Sequence, residues 1–239
     1  MRTALASFLV VVPLSGCGYL IPAQHQTIEP AALRAGAYRL DPDHAVLLWK
    51  VDHLGFSTFV GRFDRLEGSL DFDPEEPESA ALDVVVDMAS VSTHVPSLTD
   101  DLRSPTWLDT GRFPEARFVS RFVEVTGPDR GIVTGDLTLL GETGPITFDV
   151  TFNGGATNML TGNYTLGFSA ATVIDRSEFG LATFVPAIGR EVTLEIHAEF
   201  FRTDAGPETN AAVPACMVIS TTPFSPTCLA ERASHVNDG

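Results

Sequence analysis

Strict alternation of apolar and polar residues is the feature that most constrains this 239-residue chain. In the segment 191–200, Val192, Leu194 and Ile196 alternate with charged or hydroxyl side chains. A period of two is that of a β-strand with one apolar and one solvated face. Further strands are predicted at 45–52, 58–63, 66–73, 82–88, 116–125, 131–140, 146–153 and 163–170. The chain is therefore predicted to be all-β.

Strands with one apolar face must bury that face against other apolar faces, and two architectures achieve this. An antiparallel sheet either closes into a barrel or stacks on a second sheet as a sandwich, and periodicity does not choose between them. Glycine-rich segments at 141–144 and 153–155 are predicted to be turns. The stretch 97–110 contains Pro105 and mixed polarity, which predicts short helical turns inside a loop.

Charge and composition limit the kinds of molecule that this protein can bind. Lys and Arg number 15 against 31 Asp and Glu, a net charge of −16, so repulsion from phosphates excludes nucleic acid. The same charge excludes anionic membrane surfaces unless the chain carries a covalent anchor. Phe is abundant, with 16 residues against 3 Tyr and 2 Trp, which indicates an interior that needs bulk without polar groups.

The N-terminal segment has the pattern of an export signal. Its apolar stretch, 4–14, is too short to be a transmembrane helix. The letters LSGC at 14–17 resemble the lipobox of bacterial lipoproteins, in which the cysteine becomes the lipidated first residue. We therefore expect a signal peptide at 1–16, acylation of Cys17 and a polar tether at 17–36, with a plain secretory signal as the alternative. This predicts a lipid-anchored protein of the bacterial envelope facing the periplasm, and Gly18 favours the outer membrane.

Two cysteines remain near the C-terminus. Cys216 and Cys228 form an even pair in an oxidising compartment, which favours a disulfide over free thiols or a metal site. The segment around them, 204–239, is rich in proline and lacks alternation, so it is predicted to be an irregular tail with a short helix at 228–235.

A series of short motifs carries a resemblance to a known family. In chain order they are YRLDPDH at 38–44, VDHLG at 51–55, VGRF at 60–63, SVST at 90–93, DLRSPTWLD at 101–109, RFP at 112–114, FVS at 118–120, GDLTLLG at 135–141 and DRSEFG at 175–180. Together they resemble the YceI family of periplasmic lipid-binding proteins, over about 37–203. The resemblance implies a lipocalin-like, eight-stranded antiparallel barrel with a long apolar cavity that binds a polyisoprenoid chain, such as that of an isoprenoid quinone, and no other cofactor.

Alternation then predicts which side chains would line such a barrel and contact an apolar lipid. The predicted interior residues are Trp49, Phe63, Val84, Val86, Phe118, Phe148, Val150, Phe168 and Ile196. A conventional packed core that uses every Phe is the competing interpretation. Arg176 either pairs with a carboxylate, such as Asp175 or Glu178, or points at a lipid headgroup.

Other chemistry has weak support. His44, His53 and His94 lack the close spacing of metal ligands and are interpreted as polar groups at strand ends, so no metal site is predicted. No GxSxG motif accompanies the Asp and His residues, which disfavours a hydrolase. We therefore predict a lipid-binding or carrier protein rather than an enzyme. The alternatives are a barrel enzyme acting on a lipid and a stress-protective scaffold with a filled barrel.

Overall fold

The computed structural model describes residues 23–203, so Cys17, Cys216, Cys228 and the predicted tail lie outside the described residues. Within 23–203 the chain is built almost entirely of strands. They are β1 (Gly36–His53), β2 (Ser57–Phe63), β3 (Leu66–Phe72), β4 (Ala81–Asp87), β5 (Val91–Ser92), β6 (Glu115–Val125), β7 (Arg130–Leu139), β8 (Glu142–Thr157), β9 (Tyr164–Asp175) and β10 (Ile188–Arg202). One α-helix, α1 (Pro96–Arg103), lies in the predicted loop region, with single 3-10 turns at Pro30–Ala32, Pro77–Ser79, Met88–Ser90 and Arg176–Phe179.

The strands close into an antiparallel barrel. β1 pairs with β10 along most of its length, which joins the two edges of the sheet. The other side of β1 pairs with β3 near its start and with β2 near its end, so β2 and β3 act as one bent strand. β4 and β5 continue each other in the same way, pairing with β3 and β2 respectively. The wall therefore has eight strands, and the barrel alternative is confirmed over the sandwich.

The barrel has two different ends. At one end lie the turns 73–80, 126–129 and 158–163, together with the segment 24–34, which we call the strap. We call this the strap end. At the other end lie α1, the hairpin turn 54–56 and the loop 176–187, and we call it the helix end.

The strap is attached to the C-terminal part of β8. The Thr27 amide donates to the Gly155 carbonyl at 3.1 Å, and the Gly155 amide donates to the Thr27 carbonyl at 2.8 Å. The Tyr164 hydroxyl donates to the Ala32 carbonyl at 3.4 Å. The described part of the predicted tether, 23–36, thus lies against the barrel.

One predicted turn, at 153–155, is wrong and another, at 141–144, is shifted, because β8 is longer than its alternating part. The segment 153–155 lies inside β8, where a bulge follows Phe152 and Gly154 has a φ of +108°. A Cβ on Gly154 would lie 3.0 Å from the Thr27 carbonyl oxygen, so this glycine allows the strap to approach rather than reversing the chain. At the other end of β8, only Leu140 and Gly141 form the reversal, and Glu142 already belongs to the strand.

No helix among residues 23–203 has both the length and the apolar character that a membrane-spanning helix requires.

Candidate functional site

The barrel encloses a large cavity of about 520 Å³. Its wall is formed by the inward side of the strands, where hydrocarbon side chains follow one another at alternate positions. The principal lining residues are Leu40, Leu47, Leu66, Leu70, Phe72, Leu82, Val84, Val86, Phe118, Val133, Ile146, Phe148, Val150, Phe152, Phe168, Ala170, Leu194, Ile196, Ala198 and Phe200. The cavity extends to exposed residues of the strap and the 126–129 turn, such as Glu29 and Pro128, so it reaches the surface at the strap end.

Phenylalanines form much of this wall. Phe152 lies between Phe72 and Phe168, with ring centroids 6.1 Å and 5.2 Å away, and Phe168 contacts Phe200 edge-on at 5.9 Å. Such contacts between rings fix their orientations. Phe72, Phe152, Phe168 and Phe200 all border the open cavity, so the rings form part of its wall.

A second, smaller cavity of about 150 Å³ lies at the helix end. Every residue that lines it is buried or half-buried, including Trp49, Phe63, Leu102 and Trp107. Five side chains line both cavities and form the boundary between them: Leu47, Val86, Ala116, Leu137 and Leu194. The interior therefore holds two neighbouring apolar cavities that share these five side chains as a common wall.

All nine predicted interior residues face one of these two cavities. Trp49 and Phe63 line the smaller cavity, and Val86 lines both. The remaining predicted residues line the large cavity: Val84, Phe118, Phe148, Val150, Phe168 and Ile196. Their contact with a lipid stays a prediction.

Comparison with known proteins decides the family. The profile of the YceI-like domain matches residues 38–200. The chain belongs to this family. A UPF0312 protein of Pseudomonas putida strain W619 is 37% identical over 149 residues, which are 62% of this chain and 77% of that protein.

Solved structures of YceI-like proteins have the same barrel. The Campylobacter jejuni YceI protein superposes with a TM-score of 0.58 and 26% identity, covering 76% of this chain and all of that one. A polyisoprenoid-binding domain from Saccharophagus degradans, implicated in plant cell wall breakdown, superposes with a TM-score of 0.54. It is 15% identical, covering 71% of this chain and all of its own, so this likeness shows the fold alone.

Arg176 does not form either ion pair that the sequence suggested. Arg176 is 3% exposed, and its guanidinium donates to four backbone carbonyls, those of Leu181, Thr183, Ile188 and Gly189, at 2.6 to 3.0 Å. The Asp175 carboxylate instead contacts Arg190 at 3.4 Å. Burial lowers the pKa of Arg176, since it removes water from the charged group. The arginine thus holds the 176–189 loop across the helix end, and it also lines the smaller cavity.

Asp41, His44 and Glu199 are the described residues whose ligand atoms are close enough to share a cation, all within 4.8 Å of one another. Asp41 and His44 lie at a bulge of β1, Glu199 lies on the paired strand β10, and none of the three lines either cavity. Here His44 Nδ1 donates to the Asp41 carboxylate at 2.9 Å. This hydrogen bond raises the pKa of His44. Burial acts to raise the pKa of Asp41, but the hydrogen bonds from His44 and the Asp43 amide outweigh it and lower that pKa.

Sequence reasoning missed the strap as part of this YceI-like site. Ile28 and Leu33 of the strap line the large cavity at its opening. The polar and small residues of this segment indicate a tether when the sequence is considered alone. The available signal was the pair of glycines at 154 and 155, which mark a place where another part of the chain comes close.

Proposed function

We propose that this protein binds one long apolar lipid of the polyisoprenoid class inside its barrel and carries it at the bacterial envelope. The observation that supports this most directly is the large cavity, which is lined by hydrocarbon and reaches the surface at one end. Each buried methylene of a ligand contributes about 0.8 kcal/mol, so a chain of isoprene units can bind without polar contacts. The structural neighbour from Saccharophagus degradans, itself a polyisoprenoid-binding domain, is consistent with this ligand class.

Blocking the cavity tests the binding. Val84 and Ala170 are half-buried residues of the cavity wall, and replacing either by Phe adds apolar bulk where the lipid would lie. We expect V84F and A170F to lose most of their affinity for a prenyl hydrocarbon while remaining β-rich by circular dichroism. The matched control is Val173→Phe on the outside of β9, where Val173 is 56% exposed. Unchanged affinity in folded V84F and A170F would place the lipid elsewhere and overturn the proposal.

Anchoring through Cys17 is the second part of the proposal. The described chain begins at the strap end, where the large cavity opens. Cys17 and Gln24 are seven Cα–Cα steps apart, and seven steps span at most about 25 Å. An acyl anchor at Cys17 would therefore keep the opening close to the bilayer from which the lipid comes. We expect Cys17→Ala to release the protein from the membrane fraction, and a variant that still partitions with membranes would contradict the anchor.

A further inference from the structure

The strap end of the barrel exposes apolar side chains around the opening of the large cavity. Leu160 is 84% exposed at the tip of the turn 158–163, and its neighbour Met159 is also exposed. Ile28 of the strap and Val125 at the end of β6 are exposed as well, and both line the cavity. Apolar side chains grouped on a surface often mark a place of contact with a protein or a membrane.

The turn 158–163 is joined to the strap. The Gln24 side chain accepts from the Met159 amide at 3.0 Å and donates to the Thr157 carbonyl at 3.2 Å. The bridge between Thr27 and Gly155 attaches the next part of the strap to the same strand, β8. We call the surface formed by 24–28 and 158–163 the strap–turn surface. It borders the cavity opening through Ile28.

The strap–turn surface contains no Asp, Glu, Lys or Arg. None of these residues occurs in 24–28, and none occurs anywhere between Asp149 and Asp175. The turn 73–80, which also borders the opening, is different because all three of its glutamates are exposed. The opening therefore has one side without carboxylates and one acidic side.

The backbone of the turn 158–163 makes its hydrogen bonds within the chain. The Asn158 side-chain oxygen accepts from the amides of Leu160 and Thr161 at 2.9 and 3.3 Å. The Met159 amide donates to Gln24. The other three amides donate inside the turn: Asn158 to the Asn163 carbonyl, Gly162 to the Asn158 carbonyl and Asn163 to the Thr161 hydroxyl. Because an amide that leaves water unpaired is costly, this turn is suited to a place with little water.

The helix end also exposes apolar side chains, and it provides a comparison. Phe56 is 86% exposed in the turn 54–56, and Phe184 is exposed in the loop 176–187. The Asp52 carboxylate, however, accepts from the Gly55 amide at 2.9 Å, so a charge lies at this turn itself. The smaller cavity has no exposed lining residue there. In the described barrel, exposed apolar groups, a lack of carboxylates and an opening coincide at the strap end.

Position and charge indicate which partner covers the strap–turn surface. The described chain begins beside it, so the segment that carries the predicted acyl anchor enters the barrel at this surface. The surface offers no carboxylate, ammonium or guanidinium group with which a protein partner could form an ion pair. The ligand proposed for the cavity is a membrane component. These observations favour a lipid bilayer over a protein.

We propose that the strap–turn surface is a membrane-contact surface, which inserts Met159 and Leu160 among the headgroups of a zwitterionic bilayer. The acidic turn 73–80 stays in water, so the barrel is tilted on the bilayer and the opening lies next to it. A prenyl chain then passes between bilayer and cavity beside Ile28 and Val125 without crossing bulk water. This inference rests on the proposed function, since it names the surface across which the same lipid is transferred.

Fluorescence quenching tests the insertion directly. Leu160→Trp and Phe56→Trp place an indole on turns at opposite ends of the barrel that are almost equally exposed. The full chain, purified from a bacterial envelope, is mixed with phosphatidylcholine vesicles whose acyl chains carry bromine, and the signal of the two native tryptophans is subtracted. We expect quenching and a shift to shorter emission wavelength in L160W and neither in F56W. Equal quenching in the two variants, or none in L160W, would overturn the membrane-contact surface.

Transfer kinetics connect the surface to the lipid. Leu160→Asp puts a charge on the strap–turn surface, and Phe56→Asp is the matched control at the helix end. We expect L160D to take up a prenyl hydrocarbon from phosphatidylcholine vesicles about tenfold more slowly than the unmodified chain. F56D should match the unmodified rate, and both variants should keep the unmodified affinity.

The same measurement separates the two proposals. If L160D takes up the hydrocarbon at the unmodified rate, the membrane-contact surface fails and the proposed function stands. If the unmodified chain takes up no hydrocarbon, the proposed function fails, and the quenching of L160W against F56W alone decides the membrane-contact surface.

Discussion

Neighbouring residues of β8 show how one strand serves two environments. Phe148 is buried against the cavity and contacts Phe118 edge-on at 5.2 Å. Thr147, the preceding residue, is exposed and exchanges a hydrogen bond with Thr134 at 2.9 Å on the outer surface. Successive residues of the strand therefore point alternately into the apolar interior and out to the solvent.

This contrast predicts opposite outcomes for the same substitution. Phe148→Asp places a charge in an apolar cavity, so we expect loss of lipid binding and a decrease in the free energy of unfolding of at least about 3 kcal/mol. Thr147→Asp should decrease it by less than about 1 kcal/mol and leave binding intact. Denaturant unfolding and prenyl hydrocarbon titration, compared at equal folded fraction, measure both. Equal effects of the two variants would mean that Phe148 does not face a ligand cavity.

The Asp41–His44 contact predicts a dependence of stability on pH. The pKa of His44 is raised in the folded chain, so its stabilising contribution is complete below the unfolded pKa of 6.5 and is lost as the pH rises through the folded pKa. His44→Gln cannot titrate, so the variant should lose this part of the slope of stability against pH. Urea unfolding at several pH values between about 5 and 9 measures that slope. An identical slope in both proteins would show that the pair contributes nothing.

At the scale of elements, the strap forms part of the rim around the opening of the large cavity. Its two hydrogen bonds to Gly155 form a single bridge, with no further ladder on either side among the described residues. Gln24 adds two hydrogen bonds, donating to the Thr157 carbonyl at 3.2 Å and accepting from the Met159 amide at 3.0 Å. The Tyr164 hydroxyl adds a long one to the Ala32 carbonyl at 3.4 Å. An attachment of so few hydrogen bonds is expected to open locally at a lower free energy than the barrel itself.

Thr27→Pro tests that attachment. Proline removes the amide that donates to the Gly155 carbonyl, whereas the control Thr27→Val keeps both backbone hydrogen bonds. We expect faster hydrogen exchange at the Gly155 amide and faster release of a bound prenyl hydrocarbon in T27P only, with circular dichroism unchanged. If T27P, T27V and the unmodified chain release the hydrocarbon at the same rate, the strap does not restrict the exit of the lipid.

The strands could be predicted from the sequence because burial of one face imposes a local alternation of apolar and polar residues. The start of β1 was missed because the Asp41–His44 bulge interrupts its alternation. The glycines at 154 and 155 were interpreted as a turn because the contact that requires them comes from the strap, more than 120 residues earlier. The carbonyls around Arg176 are likewise brought together only when the 176–189 loop folds. Interior positions could thus be predicted, and contacts between distant segments could not.

At the scale of the whole molecule, the described barrel has two unlike ends. The strap end has exposed residues around an opening, paired cations and the start of the described chain. The helix end is covered by α1 and by the loop that Arg176 holds, and the cavity there has no exposed lining residue. The proposed lipid would therefore enter at the strap end. A net charge of −16 disfavours attachment to an anionic bilayer without a covalent anchor.

Native mass spectrometry of the protein purified from a bacterial envelope without denaturation tests the central claim most directly. We expect one lipid per chain, with a mass that identifies a polyisoprenoid tail, and we expect V84F purified in parallel to carry none. A folded protein that carries no lipid and takes up no added prenyl hydrocarbon would contradict the account, because the cavity would then be a feature of packing and not a binding site.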